Sequence, residues 1–520
     1  MRRTAFALLI TAASALTLAG CDLTSLNEDP NNPTETTAQK LLTNAEVELA
    51  DMYWDSYPGS FWMRYAQYLT TNQYTDADRY QFPARRVGSN NDNWSTSYFL
   101  LNDLEQIKRI NRDPDQKNAA ASAFGPNANQ IAIANVLQAW TFHMMTQKWG
   151  PIPFEEALQG RESGNFSPPY TGQPTVYPAL IDTLTQASQN IQTGSTTLGG
   201  GDLIFNGNMS KWKRFANALK MRIAIQMAER MPDAAETAIN EAVQAGAFQS
   251  NADGATIPFN SGPPYQNPLY ENYEVSGRDD WAAPRPLVSV MNSQDDPRRP
   301  AYFTDAEPSA EGNQFNGFPY GLNQGPAQQL FTNPDSSFSR PADNALVRGE
   351  ASAPCLLMLH DEVLFIKAEA KLRSDLNVPA ITKSGQELYE NAVAASARYW
   401  GASSEEAQAL TDRVPTVNSS NYRQVLGTQK WIAQYLQGVE GWSTWRRLNF
   451  DNVLQTPPGD PGQAAFGRSI PVRMSYPRDE ATLNETQLQG AVSNMLGGDG
   501  VSYPDGDNQG VRLWWDTTPQ

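Results

Sequence analysis

Histidine and cysteine are nearly missing, with two of each in 520 residues. That scarcity leaves little material for a thiolate metal cage or for imidazole acid–base chemistry. Lysine is also rare, at 11 of the 39 basic residues. Against these stand 56 acidic residues, for a formal charge of −17. The balance is the reverse of the basic footprint needed for nucleic acid or anionic lipid. It also suits a high-salt habitat, where a solvated acidic surface keeps protein soluble. Sequence motifs for phosphate loops (GxxxxGK[ST]), zincins (HExxH) and redox pairs (CxxC) are all lacking. Gly441-Trp442-Ser443-Thr444-Trp445 lacks the second glycine of a nucleophile elbow and lies in a helical pattern, so Ser443 reads as structural. What is plentiful is flat side chains: 13 Trp, 20 Tyr and 20 Phe.

At the N-terminus, Arg2 and Arg3 precede an apolar stretch from Ala5 to Leu18, the length of a signal peptide and too short to span a bilayer. The stretch ends in Leu18-Ala19-Gly20-Cys21, which resembles the lipobox of bacterial lipoproteins. Lipidation of Cys21 is expected, with residues 1–20 removed and residues 21–36 forming a polar tether. Cys355 is then left alone in Cys355-Leu356-Leu357-Met358-Leu359 and reads as a small buried thiol. No other run is apolar enough to span a membrane.

From residue 37 onward the periodicity is helical. Leu41, Ala45, Leu49 and Tyr53 recur every fourth residue; so do Phe215, Leu219, Ile223 and Met227. Trp94, Tyr98, Leu101 and Leu104 mark another helix, and Ile131, Ala134, Leu137, Thr141 and Met144 a further one. Capping boxes are expected at Asp233/Glu236, Ser384/Glu387 and Ser403/Glu406. Strand-like alternation is scarce. Residues 249–354 and 451–520 are dense in Gly, Pro, Asn and aromatics, and read as long ordered loops. The expected fold is one all-α domain over 37–520, with helix pairs as scaffold and these loop-rich insertions as decoration.

No catalytic residue, metal ligand or cofactor is assigned. Adjacent carboxylates such as Glu155/Glu156, Asp279/Asp280 and Asp295/Asp296 keep a surface glycoside hydrolase open as a rival, though neighbours in sequence usually share a solvated surface. Asp505-x-Asp507-x-Gln509-Gly510 with Asp516 faintly resembles a calcium loop, but its flanks favour a solvated turn. Aromatics interleaved with amides and carboxylates suit sugars, whose C–H faces stack on rings while hydroxyls seek polar partners. Two segments have that make-up, and they supply the candidate ligand contacts: Tyr74, Asp78, Tyr80, Asn93 and Trp94 in one, Tyr265, Tyr270 and Trp281 in the other.

Several segments together resemble the SusD/RagB family. They are the lipobox followed by Asn27-Glu28-Asp29-Pro30-Asn31, then Lys148-Trp149-Gly150-Pro151-Ile152-Pro153-Phe154, and Asp296-Pro297-Arg298-Arg299-Pro300-Ala301-Tyr302-Phe303. His360-Asp361-Glu362-Val363-Leu364-Phe365-Ile366-Lys367-Ala368-Glu369-Ala370, Glu440-Gly441-Trp442-Ser443-Thr444-Trp445-Arg446-Arg447 and Ile470-Pro471-Val472-Arg473-Met474-Ser475-Tyr476-Pro477 follow in order. The resemblance implies a tetratricopeptide-like helical lipoprotein on the outer face of the outer membrane. It implies a SusC-like TonB-dependent transporter as partner, a glycan or other oligomeric nutrient as cargo, and no catalysis. A SusD-like binder of peptides is the other reading it allows. The matched motifs look like scaffold, with Arg446, Arg447 and Arg473 in structural pairing and Glu362, Lys367 and Glu369 on a helix with ionic edges. Ligand contacts in the family come from variable loops and do not transfer by motif.

Overall fold

The computed structural model describes residues 36–54, 61–81, 84–306, 314–333, 335–450, 453–494 and 507–517. Cys21, the signal segment and nearly all of the tether lie outside them. Eleven helices form the scaffold. They are α1 (Ala38–Trp54), α2 (Ala84–Arg112), α3 (Asn127–Trp149), α4 (Gln173–Asn190), α5 (Met209–Met227), α6 (Pro232–Ala245), α7 (His360–Leu372), α8 (Gly385–Tyr399), α9 (Ser404–Arg413), α10 (Tyr422–Ala433) and α11 (Gly438–Leu448). From α1 to α6 each helix packs on the next in sequence; α7, α8 and α9 repeat the arrangement, and α7 docks back on α5 and α10. This is the expected helix-pair scaffold. No described helix is long and apolar enough to cross a membrane.

The periodic residues fulfil their pattern: Leu41, Ala45, Leu49 and Tyr53 are all buried on α1. Two helices go further. Every residue of α3 from Val136 to Trp149, and every residue of α11, is buried. A helix covered all round must satisfy its polar groups internally. On α11, Glu440, Arg446 and Arg447 do so with partners from five other parts of the chain. Arg447 forms a bidentate pair with Glu369 of α7, one arm at 2.7 Å. Arg446 lies over the Trp442 and Trp515 rings and donates to the carbonyls of Gln147 and Val472 at 2.8 and 3.0 Å. Arg222 of α5 reaches Glu362 at 2.6 Å and Glu440 at 3.4 Å. Burial alone would raise the Glu369 carboxyl; Arg447, backed by Lys430 and Arg373, holds it below its ordinary value. Glu362 and Glu369 are therefore interior staples rather than helix-edge charges.

The other motifs serve the same purpose. Arg298 is fully buried against Asp296 at 2.6 Å and also reaches Ser396 and Gln429. Gly441 lets α11 approach Tyr68, whose hydroxyl would lie 2.1 Å from any Cβ there. Ser443 is buried and accepts from Arg446 at 2.7 Å, a structural role as expected. Of the three predicted capping boxes, Ser403/Glu406 is complete. Ser384 accepts from the Glu387 N–H without the return bond. At α6, Pro232 occupies the first turn after Met231, displacing Asp233 from the cap position.

Strands are few and short. β1 (Thr70–Thr71) pairs with β5 (Trp281–Ala282), β2 (Ile152–Pro153) with β3 (Tyr170–Thr171), and β4 (Ala255–Ile257) with β6 (Cys355–Met358), all antiparallel. Cys355 is buried in β6 as a free thiol, and burial raises its pKa well above the usual value.

Candidate functional site

The pairing of β1 with β5 brings together the two segments singled out in the sequence. Thr71 sits opposite Trp281, and the junction continues as the Asn72 N–H and side-chain amide donate to the Asp280 and Asp279 carbonyls at 3.0 and 2.7 Å. Beyond it the chain turns sharply at Tyr74, whose φ of 53° throws its ring outward. That ring is 39% exposed, and the Arg278 guanidinium lies 5.5 Å from its centre. Tyr265, at 40%, is likewise exposed, and Tyr270 is half-buried beside it in sequence, where Asn267 caps a short turn.

The remaining candidates are buried, which corrects the expectation that they line the surface. Asp78 is 1% exposed; its Oδ2 accepts from the Thr70 hydroxyl and the Thr71 N–H at 2.8 and 3.0 Å, and Oδ1 faces Arg64 at 3.5 Å. Burial raises its pKa, against the pull of Arg64. Arg64, lowered to about 10 by burial, stays charged at neutral pH; it lies 4.6 Å above the buried Trp281 ring and donates to the Tyr74 carbonyl. Asp78, Arg64 and Trp281 thus form the floor that holds the Tyr74 turn. Tyr80 is buried against Tyr65 and accepts from Gln67 at 3.1 Å. Asn93 and Trp94 lie on the inward face of α2. Asn93 donates to the Met52 carbonyl at 2.8 Å and accepts from Lys148, while the Trp94 indole donates to Glu480 at 3.2 Å and packs edge-on against Trp149. Large aromatics have more apolar area to bury than any loop can leave exposed, so most of those chosen by composition are core.

Composition singled out Asp279 and Asp280 only as an adjacent carboxylate pair and missed the arginines that hold them. Arg278 pairs with Asp280 at 2.7 Å, and Asp279 is gripped by both arms of Arg340 at 3.0 and 2.7 Å. The Arg340 guanidinium lies 4.1 Å over the half-buried Phe331 ring. The run Arg278-Asp279-Asp280 beside Trp281 is the one signal that could have flagged them. Tyr74 and Phe331 thus flank the Arg278–Asp280 and Arg340–Asp279 pairs, rings and fixed charges of the kind that suit a hydroxyl-rich ligand.

Most of the acid–base candidates are otherwise engaged. Asp279 and Asp280 are ion-paired as above, Asp296 is buried on Arg298, and Glu155 and Glu156 are exposed. His143 is buried and its pKa falls well below the ordinary value through burial and the nearby Arg222. His360 is lowered to about 4 by burial and by Lys367. In the calcium-like loop, Asp507 pairs with Arg473 at 2.6 Å and Asp516 is buried near Arg512, which replaces the expected solvated turn; Asp505 is outside the described residues. Among the described residues no cluster of three or more metal-ligating side chains occurs.

No curated protein matches this chain. Solved structures do. A SusD homologue from Bacteroides uniformis is 24% identical with a TM-score of 0.74, covering 92% of this chain and 99% of its own. A chitin-binding SusD homologue from Flavobacterium johnsoniae is 22% identical with a TM-score of 0.73, covering 92% and 98%. A SusD homologue from Bacteroides thetaiotaomicron is 20% identical with a TM-score of 0.73, covering 92% and 99%. These share the fold. Residues 30–477 match the SusD-like family described as "Starch-binding associating with outer membrane", and with that span covering most of the sequence, the chain belongs to the SusD-like family.

Proposed function

We propose that this protein is a lipoprotein of the outer membrane, anchored through Cys21, that captures an oligosaccharide and hands it unchanged to a SusC-like TonB-dependent transporter. The observation that carries the reading is the Tyr74 surface: an exposed ring beside Arg278, on a turn braced from below by Arg64, Asp78 and Trp281. Tyr265 and Tyr270 supply further rings from the loop that leads into β5. A rigid turn presents its ring with little ordering cost on binding. Family membership and the chitin-binding homologue of the same fold support a carbohydrate as the ligand class. Capture for handover calls for modest affinity, and stacking plus a few hydrogen bonds provides that.

The test is calorimetric titration of the purified protein with chito- and malto-oligosaccharides, alongside a glycan array and a peptide panel. Saturable glycan binding that weakens in Tyr74→Ala, with no new reducing ends on long incubation, is the expected result. Sustained release of reducing ends would make it a hydrolase, and binding confined to peptides would change the cargo class. Fatty-acid labelling lost on Cys21→Ser, and co-purification with a barrel partner, test the anchor and the handover.

A further inference from the structure

Away from the β1/β5 junction, a cleft of about 760 Å³ opens between the end of α6, the 246–252 segment, α7 and α8. Its size is that of small-ligand sites, which run about 300–1,000 Å³. Its charge is unlike the rest of this acidic chain: Lys367, Lys383 and Arg398 line it beside a His360 that is neutral at neutral pH, and no carboxylate does. Lys383 is answered by Glu387 at 2.7 Å. The nearby Asp253 is taken by Arg214 at 2.7 Å and by the backbone N–H groups of Gln249 and Ser250. Lys367 and Arg398 have no ion-pair partner among the described residues. Lys367 is half-buried, so its ammonium is partly stripped of water with no counter-charge to replace it.

We propose that this cleft is a second binding site, distinct from the Tyr74 surface, that takes the oxyanion of an acidic sugar, as a uronate carboxylate or a sulfate ester. Lys367 and Arg398 meet the anion. Leu364 offers apolar wall to the ring, and the amides of Gln249 and Asn391 are placed for its hydroxyls. Burial lowers the Lys367 pKa; burial also lowers that of His360, aided by Lys367 and Arg398 against a weaker opposing pull from the Phe248 backbone and Asp253.

The purified protein is titrated with trigalacturonate and with galactose 6-sulfate, using the methyl ester of the first and plain galactose as uncharged counterparts. At least one acidic probe should bind at least tenfold more tightly than its counterpart, and added salt should weaken it. Lys367→Gln and Arg398→Gln should each cost tenfold or more, Lys367→Arg should retain binding, and Tyr74→Ala should leave it unchanged. Melting temperatures verify that the variants fold. Equal affinity for charged and uncharged probes, no binding of either acid, or loss in Tyr74→Ala but not in Lys367→Gln would overturn the assignment. So would inorganic sulfate binding as tightly as either sugar, since the site would then take a free ion. Because these readouts turn on Lys367 and Arg398, they stand or fall separately from neutral-glycan binding at Tyr74.

Discussion

The interior of the scaffold and the Tyr74 surface are both built from arginine–carboxylate pairs and aromatic rings, yet they use them oppositely. Between α5, α7 and α11, Arg222, Glu362, Glu369 and Arg447 are buried to within a few per cent and lock helices to one another. At the surface, Arg278–Asp280 and Arg340–Asp279 are partly open to water and hold loop to loop. Loss of an interior partner leaves a bare charge with no access to solvent, whereas loss of a surface partner leaves one that water can solvate. Stability should therefore reside in the first set and recognition in the second.

The sharpest way to break this contrast is Glu369→Ala. It removes the bidentate partner of Arg447 in the core and should cost about 3–5 kcal/mol of stability, seen as a large fall in melting temperature. A fall no larger than that of a surface-pair variant such as Asp279→Ala would erase the distinction. Next is pH. Burial lifts the Asp361 carboxyl to about 7, so the folded state keeps a proton that the unfolded chain releases near pH 4. Its contribution is complete below about pH 4 and is lost as pH rises through 7. Asp361→Asn should therefore gain about 3 kcal/mol relative to the parent between pH 5 and pH 8. Denaturant titrations at the two pH values measure it, and parallel curves would contradict it. On the surface side, Tyr74→Ala should weaken glycan binding about tenfold, or about 1.4 kcal/mol, with little change in melting temperature. Trp94→Phe should do the reverse, removing the indole bond to Glu480 and lowering stability while affinity holds. Smallest is Ser403→Ala, which removes the α9 cap and should cost about 1 kcal/mol, readable by chemical denaturation.

The scaffold was legible because its rule is local. A four-residue step in α1 or α5 needs no knowledge of the partner helix, and Ser403/Glu406 closes its cap within one turn. Where a second local rule competed, the reading slipped: Asp233 offered a cap, but Pro232 fits the first turn and starts α6 there. The candidate contact residues were legible only as segments. Whether a given tyrosine or tryptophan faces water depends on what the rest of the chain places over it, and α2 turns Trp94 inward onto Trp149. Tyr74 and Trp281 share similar chemistry and adjacent positions, and only the two-residue β1/β5 pairing, with no periodicity to announce it, decides which is floor and which is rim. The cationic cleft was invisible for the same reason, since Lys367 and Arg398 sit on different helices and read singly as ordinary helix-surface charges.

That two-residue pairing also fixes an order of assembly. Helices α1 to α6 each find their neighbour nearby in the chain and can settle as synthesis proceeds, because short-range contacts form fastest. Thr70–Thr71 must wait until residue 281 has emerged, more than two hundred positions later. The Tyr74 turn therefore sets only after α1 to α6 have had time to pack, and a nascent chain that has not yet reached Trp281 carries that turn without its floor.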